Sequence, residues 1–157
     1  MKRGSMLTPL AAWHLLLPAV LLIGCSGTRP AGLGARDGKL LPCPSSPNCV
    51  SSQAPDEGHR TAPLPYTGPA RDAWSRLTSI IASLPRAKVM TDSDTYLHVE
   101  FRSLVFQFVD DVEFLADDDA KVIHVRSSSR VGHSDLGANR RRIETIRARW
   151  QTSAPAP

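Results

Sequence analysis

Residues 96–129, YLHVEFRSLVFQFVDDVEFLADDDAKVIHVRSSS, contain the pattern that decides the fold. Apolar and polar residues alternate over 96–101 and again over 105–115, which is typical of strands with one buried face. The predicted core face of the second of these strands carries Phe106, Phe108, Val112 and Phe114. Three aspartates at 117–119 mark a turn into a last strand over 121–129, with calcium binding as the alternative interpretation. Together with a short apolar run at 88–91, the pattern predicts four mostly antiparallel strands.

Asp110 is the anomaly in this pattern, because a period of two places it on the predicted core face. A buried carboxylate costs free energy unless it is paired or hydrogen-bonded, so we expect a partner. The cleanest apolar face results if Asp110 lies opposite Val125, and Asp111 then meets His124 on the other face. Two alternatives stay open: a register that puts Asp110 opposite Arg126, and a bulge that turns both aspartates outward.

Two amphipathic helices flank the predicted strands. Apolar residues recur at spacings of three and four between Pro69, which fits a first helical turn, and Pro85, which ends the pattern. A second helix is predicted over 135–150, with Ser134 or Asp135 supplying a side-chain oxygen to its first N–H groups. Its apolar side carries Leu136, Ile143, Ile146 and Trp150. The expected fold class is α+β, a mostly antiparallel four-stranded sheet with both helices on one face.

Between the last strand and the second helix, residues 126–142 read RSSSRVGHSDLGANRRR and concentrate the polar side chains. Guanidinium groups, hydroxyls and the N–H groups of a helix start suit an anion or a carboxylate. The candidate binding residues are Arg126, Ser127, Ser129, Arg130, Asp135, Asn139 and Arg140. The anion is either an external ligand or an internal carboxylate, for which Asp110, Asp111 and Glu113 are the candidates.

Hydrolysis is a competing interpretation of the same segment. The candidate side chains are, as nucleophiles, Ser127, Ser129 and Ser134 and, as bases, His124 and His133. The sequence has no Gly-x-Ser-x-Gly elbow, so we expect a binding module without a cofactor rather than an enzyme. A purely structural protein, whose arginines only clamp Asp110 and Asp111, is the third interpretation.

The N-terminus has the composition of a secretory signal, since Lys2 and Arg3 precede an apolar run that ends in LIGC at residues 22–25. This ending resembles the bacterial lipobox, in which the cysteine, here Cys25, is lipidated and becomes the first mature residue. The run is shorter than the roughly 20 residues of a membrane span. Ser26 at the next position indicates the periplasmic face of the outer membrane.

These features divide the chain into a signal peptide at 1–24, a lipidated cysteine with a flexible tether at 25–40, one domain at 41–150 and a disordered tail at 151–157. Loss of the signal would lower the formal net charge from +4 to +2, so nucleic acid is not an expected partner. The expected partners are the membrane, through the lipid anchor, and an anionic small molecule or an envelope protein.

Cys43 and Cys49 lie six residues apart with prolines between them. An even pair in an oxidising periplasm predicts a disulfide that closes a small loop at the N-terminal border of the domain. A redox pair and a metal site with His59 are alternatives, although the sequence shows no second cluster of metal ligands.

Three separated motifs carry a resemblance to a known family. They are PCPSSPNCVSS at 42–52, FVDDVEF at 108–114 and RSSSRVG at 126–132, the last followed by DLG at 135–137 and by Asn139 and Arg140. In this order, and over residues 41–150, the chain resembles the bacterial domain-of-unknown-function family 1499. The resemblance implies no established activity, substrate or cofactor. His133 stands where the family usually has an aromatic residue, so its imidazole is assigned no role.

Overall fold

The computed structural model describes residues 26–153 as two helices and a six-stranded antiparallel sheet. The elements are β1 (Cys49–Ser51), β2 (Leu64–Pro65), α1 (Ala70–Ala82), β3 (Ala87–Asp92), β4 (Tyr96–Arg102), β5 (Val109–Asp117), β6 (Val122–Ser129) and α2 (Ala138–Thr152). The sheet order is β1-β6-β5-β4-β3, and β2 also pairs with β6. The fold class is therefore α+β, as the sequence predicts. The predicted signal peptide at 1–24, the predicted lipidation site at Cys25 and residues 154–157 lie outside the described residues.

The sheet has two strands more than the four predicted. β1 pairs Cys49 with Ser128, and β2 pairs Leu64 with Ile123. Both strands are only two or three residues long and lie in segments rich in proline and turn-forming residues, so no alternating pattern could develop. The predicted disulfide is present beside β1, where Cys43 and Cys49 have their Cα atoms 5.7 Å apart.

One face of the sheet and both helices enclose the apolar core. A period of two brings every second residue of β4, β5 and β6 to this face, and α1 and α2 each add a stripe at helical spacing. Its members include Leu64, Tyr66, Trp74, Leu77, Ile80, Ile81, Leu97, Val99, Phe101, Val112, Phe114, Ile123, Val125, Ile143, Ile146 and Trp150. Neither described helix is long and apolar enough to cross a membrane.

The strand predicted over 105–115 instead begins at Val109, and the preceding residues form a loop. The Ser103 N–H donates to the Phe108 carbonyl at 2.9 Å, and the Phe108 N–H donates to Ser103 Oγ at 2.9 Å. Gln107 at the turn has a φ of 56°. Phe106 and Phe108 are consequently 65% and 41% exposed, so the prediction that they belong to the core is wrong.

β5 and β6 pair without a register shift, but in neither of the registers considered. Asp110 lies opposite Ser129 rather than opposite Val125 or Arg126. The turn comprises residues 118–121, where an aspartate side chain at the end of β5 accepts a backbone N–H of the turn. The hairpin therefore closes two residues later than predicted, and every cross-strand partner changes.

The second helix begins later and ends later than predicted. α2 starts at Ala138 and reaches Thr152, so the first two residues of the predicted tail are helical. Leu136 precedes the helix with a φ of 52° and is 84% exposed, so its assignment to the apolar side of the helix is wrong. Asp135 does supply the predicted side-chain oxygen, because its carboxylate accepts the N–H groups of Gly137 and Asn139 at 2.9 and 2.7 Å.

The face of the sheet opposite the helices is also buried, although it carries charged side chains. Five of its residues are titratable or charged and no more than 4% exposed: His98, Glu100, Asp111, Glu113 and Arg126. Residues 26–40, hereafter the N-terminal segment, contact this face: Arg29 Nη2 lies 2.7 Å from Glu100 Oε1, and the Gly34 N–H donates to Glu113 at 3.0 Å. The part of the predicted tether that the structure describes therefore packs on the domain.

Two phenylalanines that the alternation assigned to the same face test this architecture. Phe114 is fully buried, so Phe114→Ala should lower the free energy of unfolding by about 3–5 kcal/mol. Phe106 is mostly exposed, and Phe106→Ala should change it by no more than about 0.5 kcal/mol. Urea denaturation of both variants measures the difference, and equal losses would contradict the placement of β5.

Candidate functional site

A cluster of charged side chains fills the space between the sheet and the N-terminal segment, and we call it the charge cluster. Its members come from β4, β5, β6, the residue after β6 and the N-terminal segment. They are Arg29, Tyr96, His98, Glu100, Asp111, Glu113, Arg126 and Arg130. Three carboxylates are thus brought together with three guanidinium groups, which balances their formal charge; the Arg29 side chain is 48% exposed and the other five are no more than 6% exposed.

Arg130 pairs with two of the three carboxylates in the charge cluster. Its Nε and Nη2 atoms lie 2.8 and 2.7 Å from the two carboxylate oxygens of Asp111, the planar bidentate geometry that gives strong charge-assisted hydrogen bonds. Nη2 also lies 2.5 Å from Glu100 Oε1. His98 completes the site by donating from Nε2 to Asp111 Oδ1 at 2.7 Å. Asp111 therefore does not meet His124, as the predicted register required.

Glu113 is the centre of the second half of the charge cluster. Arg126 Nη1 lies 3.0 Å from one of its carboxylate oxygens, and the Tyr96 hydroxyl donates to the other at 2.8 Å. The Gly34 N–H donates to that second oxygen as well. Because Arg126 and Glu113 are directly opposite each other in the sheet, the strand register alone sets up this pair.

The charge cluster shifts the pKa values of its members in the directions that these contacts require. Burial by itself would raise the pKa of Asp111, but hydrogen bonds from Arg130 and His98 outweigh it and hold that pKa below its usual range. Burial would likewise raise the pKa of Glu100, but the hydrogen bonds from Arg29 and Arg130 outweigh burial and lower that pKa. Burial and the nearby Glu113 carboxylate raise the pKa of the Tyr96 hydroxyl, which stays a proton donor.

On the opposite face of the sheet, Asn139 organises a separate network, hereafter the Asn139 network. Its Oδ1 atom accepts from Ser127 Oγ at 2.6 Å, and its Nδ2 atom donates to the Asn48 carbonyl, Ser129 Oγ and Asp135 Oδ2 at 2.8–2.9 Å. Burial alone would raise the pKa of Asp135, but the backbone N–H groups that it accepts lower it. The network ties the start of α2 to the end of β6 and to the residue before β1.

Asp110 finds its partner in the Asn139 network and not in the predicted arginines. Arg142 forms an ion pair with it through Nη2, while Nη1 donates to Ser127 Oγ at 2.9 Å. The same guanidinium stacks over the ring of Phe101, 4.9 Å from its centroid. The carboxylate predicted to lie on the apolar face is thus neutralised where that face meets solvent.

The predicted site residues consequently form two sites rather than one. Arg126 and Arg130 belong to the charge cluster, whereas Ser127, Ser129, Asp135 and Asn139 belong to the Asn139 network, because successive strand residues point to opposite faces. Arg140 belongs to neither. It is partly exposed and donates to the carbonyls of Gly58 and Arg60, each at 2.8 Å.

The contacts bring no histidine to a candidate nucleophile within the described residues. Ser127 is fully buried and its hydroxyl is held by Asn139 and Arg142. His124 instead contacts Ser52 Oγ at 3.2 Å, near the other end of β6, and His133 is exposed.

The metal interpretations fit the geometry poorly. Cys43 and Cys49 are bonded to each other, and His59 contacts Asp56 and the Ser46 carbonyl. The turn aspartates accept hydrogen bonds from the turn backbone, from Tyr66 and from Lys121. Among residues 26–153 no group of three or more His, Cys, Asp and Glu side chains could hold a metal ion.

Sequence reasoning missed four residues that hold these sites together: Arg29, His98, Glu100 and Arg142. A signal existed for two of them, because His98 and Glu100 alternate with the apolar residues of β4. Such an alternation is equally typical of a strand whose polar face is solvated. The polar face of β4 is buried because the N-terminal segment covers it. No local sequence pattern predicts that contact.

Comparison with known protein families gives one match. A family model described as "Protein of unknown function (DUF1499)" matches residues 39–149. The chain belongs to the DUF1499 family. No curated protein matches it. The matched region of this DUF1499 protein contains the disulfide, both helices up to Arg149 and every strand, whereas Arg29 and Gly34, which contact the charge cluster, precede it.

Removing one cation from the charge cluster tests its balance. Arg130→Ala leaves Glu100 and Asp111 buried beside each other, so the free energy of unfolding should fall by about 3–5 kcal/mol. Arg140→Ala is the matched control, since it removes hydrogen bonds at the surface and should cost about 1 kcal/mol or less. Urea denaturation under oxidising conditions compares the two. If both variants lose the same free energy of unfolding, the buried ion pairs of Arg130 do not contribute to stability beyond a surface hydrogen bond.

The lowered carboxyl pKa values predict a dependence of stability on pH. Asp111, Glu100 and Asp135 titrate below their ordinary values of 3.8, 4.5 and 3.8 in the folded chain. Their stabilisation is therefore complete above the pKa of the unfolded chain and is lost as the pH falls through the folded values. The melting temperature should be constant above about pH 5.5 and fall steeply below about pH 4.5. A melting temperature that rises on acidification would contradict the assignment.

Proposed function

We propose that this DUF1499 protein is a lipid-anchored binding module of the bacterial cell envelope, which docks on an anionic component at the membrane surface and carries out no chemistry. The anchor is Cys25, acylated after cleavage of the signal at residues 1–24. The location is the periplasmic face of the outer membrane. The proposal is supported by the lipobox-like sequence and by the way in which the domain begins.

The observation that carries the proposal is the position of Gly27. A Cβ atom on Gly27 would lie 2.8 Å from Arg130 Cβ and from Val131 Cγ1, so the chain touches the end of β6 here. Its φ of 65° also favours glycine. Only Ser26 separates this contact from Cys25. An acyl chain on Cys25 would therefore hold the folded domain against the bilayer, not at the end of a long tether.

The charge cluster has a mechanical role in this proposal. Arg29 and Gly34 bind Glu100 and Glu113, so the segment that leads to the anchor is attached to two strands of the sheet, β4 and β5. Arg126 and Arg130 are buried and paired with internal carboxylates, which favours the clamp over the capture of an external anion by the same two arginines. This clamp is the part of the purely structural interpretation that the geometry favours.

Hydrolysis is the weaker proposal for the same chain. A serine nucleophile needs access to the substrate and a base within hydrogen-bonding distance. Ser127 is fully buried between Asn139 and Arg142, and the hydroxyl of Ser129 accepts from Asn139. Catalysis would require both the Asn139 network and the packing of α2 to open.

The state of Cys25 tests the proposal. The wild-type chain expressed in a Gram-negative bacterium should begin at Cys25, carry acyl groups by mass spectrometry and partition into the detergent phase of a nonionic detergent. Cys25→Ser should abolish the acyl mass. The matched control is the double variant Cys43→Ser/Cys49→Ser, which loses the disulfide but should keep the acyl mass. A wild-type chain with an unmodified Cys25 would overturn the proposal.

A further inference from the structure

The loop between β4 and β5 exposes a run of apolar side chains that the fold does not use. Leu104, Val105 and Phe106 are 65–70% exposed, and the rings of Phe106 and Phe108 stack with their centroids 5.5 Å apart. Contiguous exposed apolar side chains of this kind mark a surface that contacts a partner or a membrane. We call residues 104–108 the apolar loop.

The apolar loop is held in its exposed conformation by its own polar groups. Ser103 and Phe108 exchange backbone and hydroxyl hydrogen bonds across the base, and the Gln107 amide donates to the carbonyls of Ser103 and Leu104 at 3.2 and 3.0 Å. These bonds close the base of the loop, and its apolar side chains point outward. A loop of this kind can seat its apolar side chains at the boundary between headgroups and acyl chains, where its backbone remains within reach of water.

A basic groove adjoins the base of the apolar loop. It has a volume of about 330 Å³, and Ser103 of the loop base lies in its wall. The side chains that give it its charge are Arg86, Arg102, Arg142 and Arg149. Arg142 is paired with Asp110, and Arg102 lies 3.6 Å from Glu100.

Arg86 and Arg149 are the groove arginines without a carboxylate partner among the described residues. Arg86 donates to the Arg102 carbonyl at 3.1 Å, and Arg149 donates to Ser83 Oγ at 2.7 Å. Each guanidinium has five N–H donors, so most of the donors on both remain available to an anion. Phosphate is the anion that guanidinium groups bind with the best geometry.

Gly27, the apolar loop and the basic groove all lie at one end of the sheet. The last residue of β4, Arg102, pairs with the first residue of β5, Val109. β6 ends at the same edge, because its last residue pairs with Asp110. Gly27 touches the residues directly after β6. The loop that follows β6 at this end also presents Leu136, which is 84% exposed.

From this arrangement we infer that the apolar loop inserts into the bilayer and that the basic groove binds the phosphate headgroups of anionic phospholipids. The inference rests on the proposed lipid anchor, because the anchor brings this end of the sheet to the membrane. The apolar loop contacts the acyl chains of the lipids, the groove binds their phosphates, and the acyl chain of Cys25 enters the same bilayer. Stable attachment of a peripheral protein commonly needs more than one such signal.

Spin labelling of the lipidated full chain tests the insertion. With Cys25 acylated and Cys43 bonded to Cys49, a cysteine introduced by Leu104→Cys is the only free thiol and can carry a nitroxide. Ala120→Cys is the control, because it is exposed in the β5–β6 turn at the opposite end of the sheet. In vesicles with anionic phospholipid, the Leu104 label should collide with oxygen and be protected from a water-soluble nickel complex. The Ala120 label should show the reverse.

Charge variants test the headgroup site. Arg86→Gln/Arg149→Gln removes the two arginines of the groove that lack carboxylate partners, and Arg71→Gln/Lys121→Gln removes the same charge near the opposite end. In anionic vesicles the ratio of inserted to exposed Leu104 label should fall about five-fold for each groove arginine. The control pair should leave the ratio unchanged, and in zwitterionic vesicles neither pair should alter it.

The outcomes separate this inference from the proposed function. A Leu104 label that stays in water in both kinds of vesicle, on a chain whose acylated Cys25 is verified, overturns the insertion and leaves the anchor intact. Equal insertion of both charge variants in anionic vesicles overturns the headgroup site. Protection of Leu104 in native envelopes but not in protein-free vesicles means that a protein covers the loop, which also overturns the inference. An unmodified Cys25 overturns the proposed function itself.

Discussion

The pair between Arg130 and Asp111 is the interaction on which the second face of the sheet depends. Glu100 and Asp111 lie directly opposite each other on β4 and β5, a cross-strand arrangement of like charges that would be destabilising without a cation between them. Arg130, from the residue after β6, binds both. One guanidinium thus joins three neighbouring strands, and through Glu100 it shares a carboxylate with Arg29 of the N-terminal segment.

Buried ion pairs of this kind specify a structure more than they stabilise it. Taking each charge out of water costs several kcal/mol, and the attraction between opposite charges returns about as much only when the geometry is good. An apolar face would let many segments pack on it in many ways. A face that carries Glu100 and Glu113 accepts a segment that supplies a guanidinium and a backbone N–H at the required spacing. Residues 26–40 meet this requirement.

Local sequence patterns correctly predicted the elements whose structure depends on neighbouring residues. The alternation in β4, the aspartate turn before β6 and the helical spacing in α1 identified those elements, and the two cysteines identified their disulfide. Periodicity failed at the apolar loop, where an alternating pattern belongs to a turn closed by Ser103 and Gln107. It also failed for the register, which depended on whether the hairpin closed before or after Asp119.

The site was harder to predict than the fold, for a physical reason. The segment after β6 was correctly identified as the densest polar stretch, but its side chains alternate between two faces and find partners far away in the chain. Arg29 and Glu100 are 71 residues apart, and Asn48 and Asn139 are 91 apart. Pairing over such distances is decided by topology, which a single sequence does not reveal. The family match identified the domain but added no partner for any of these residues.

The N-terminal segment, which covers the charge cluster, lies almost entirely before the region that matches the family. The folded domain is therefore longer than the region of sequence similarity. The DUF1499 match begins at residue 39, yet Arg29 and Gly34 supply hydrogen bonds to Glu100 and Glu113. A fragment cut at the start of the match would keep every strand and both helices while exposing acidic side chains on one whole side of the sheet. Such a fragment would be more acidic on that side and more sensitive to salt. The described residues before position 39 are therefore part of the protein's architecture.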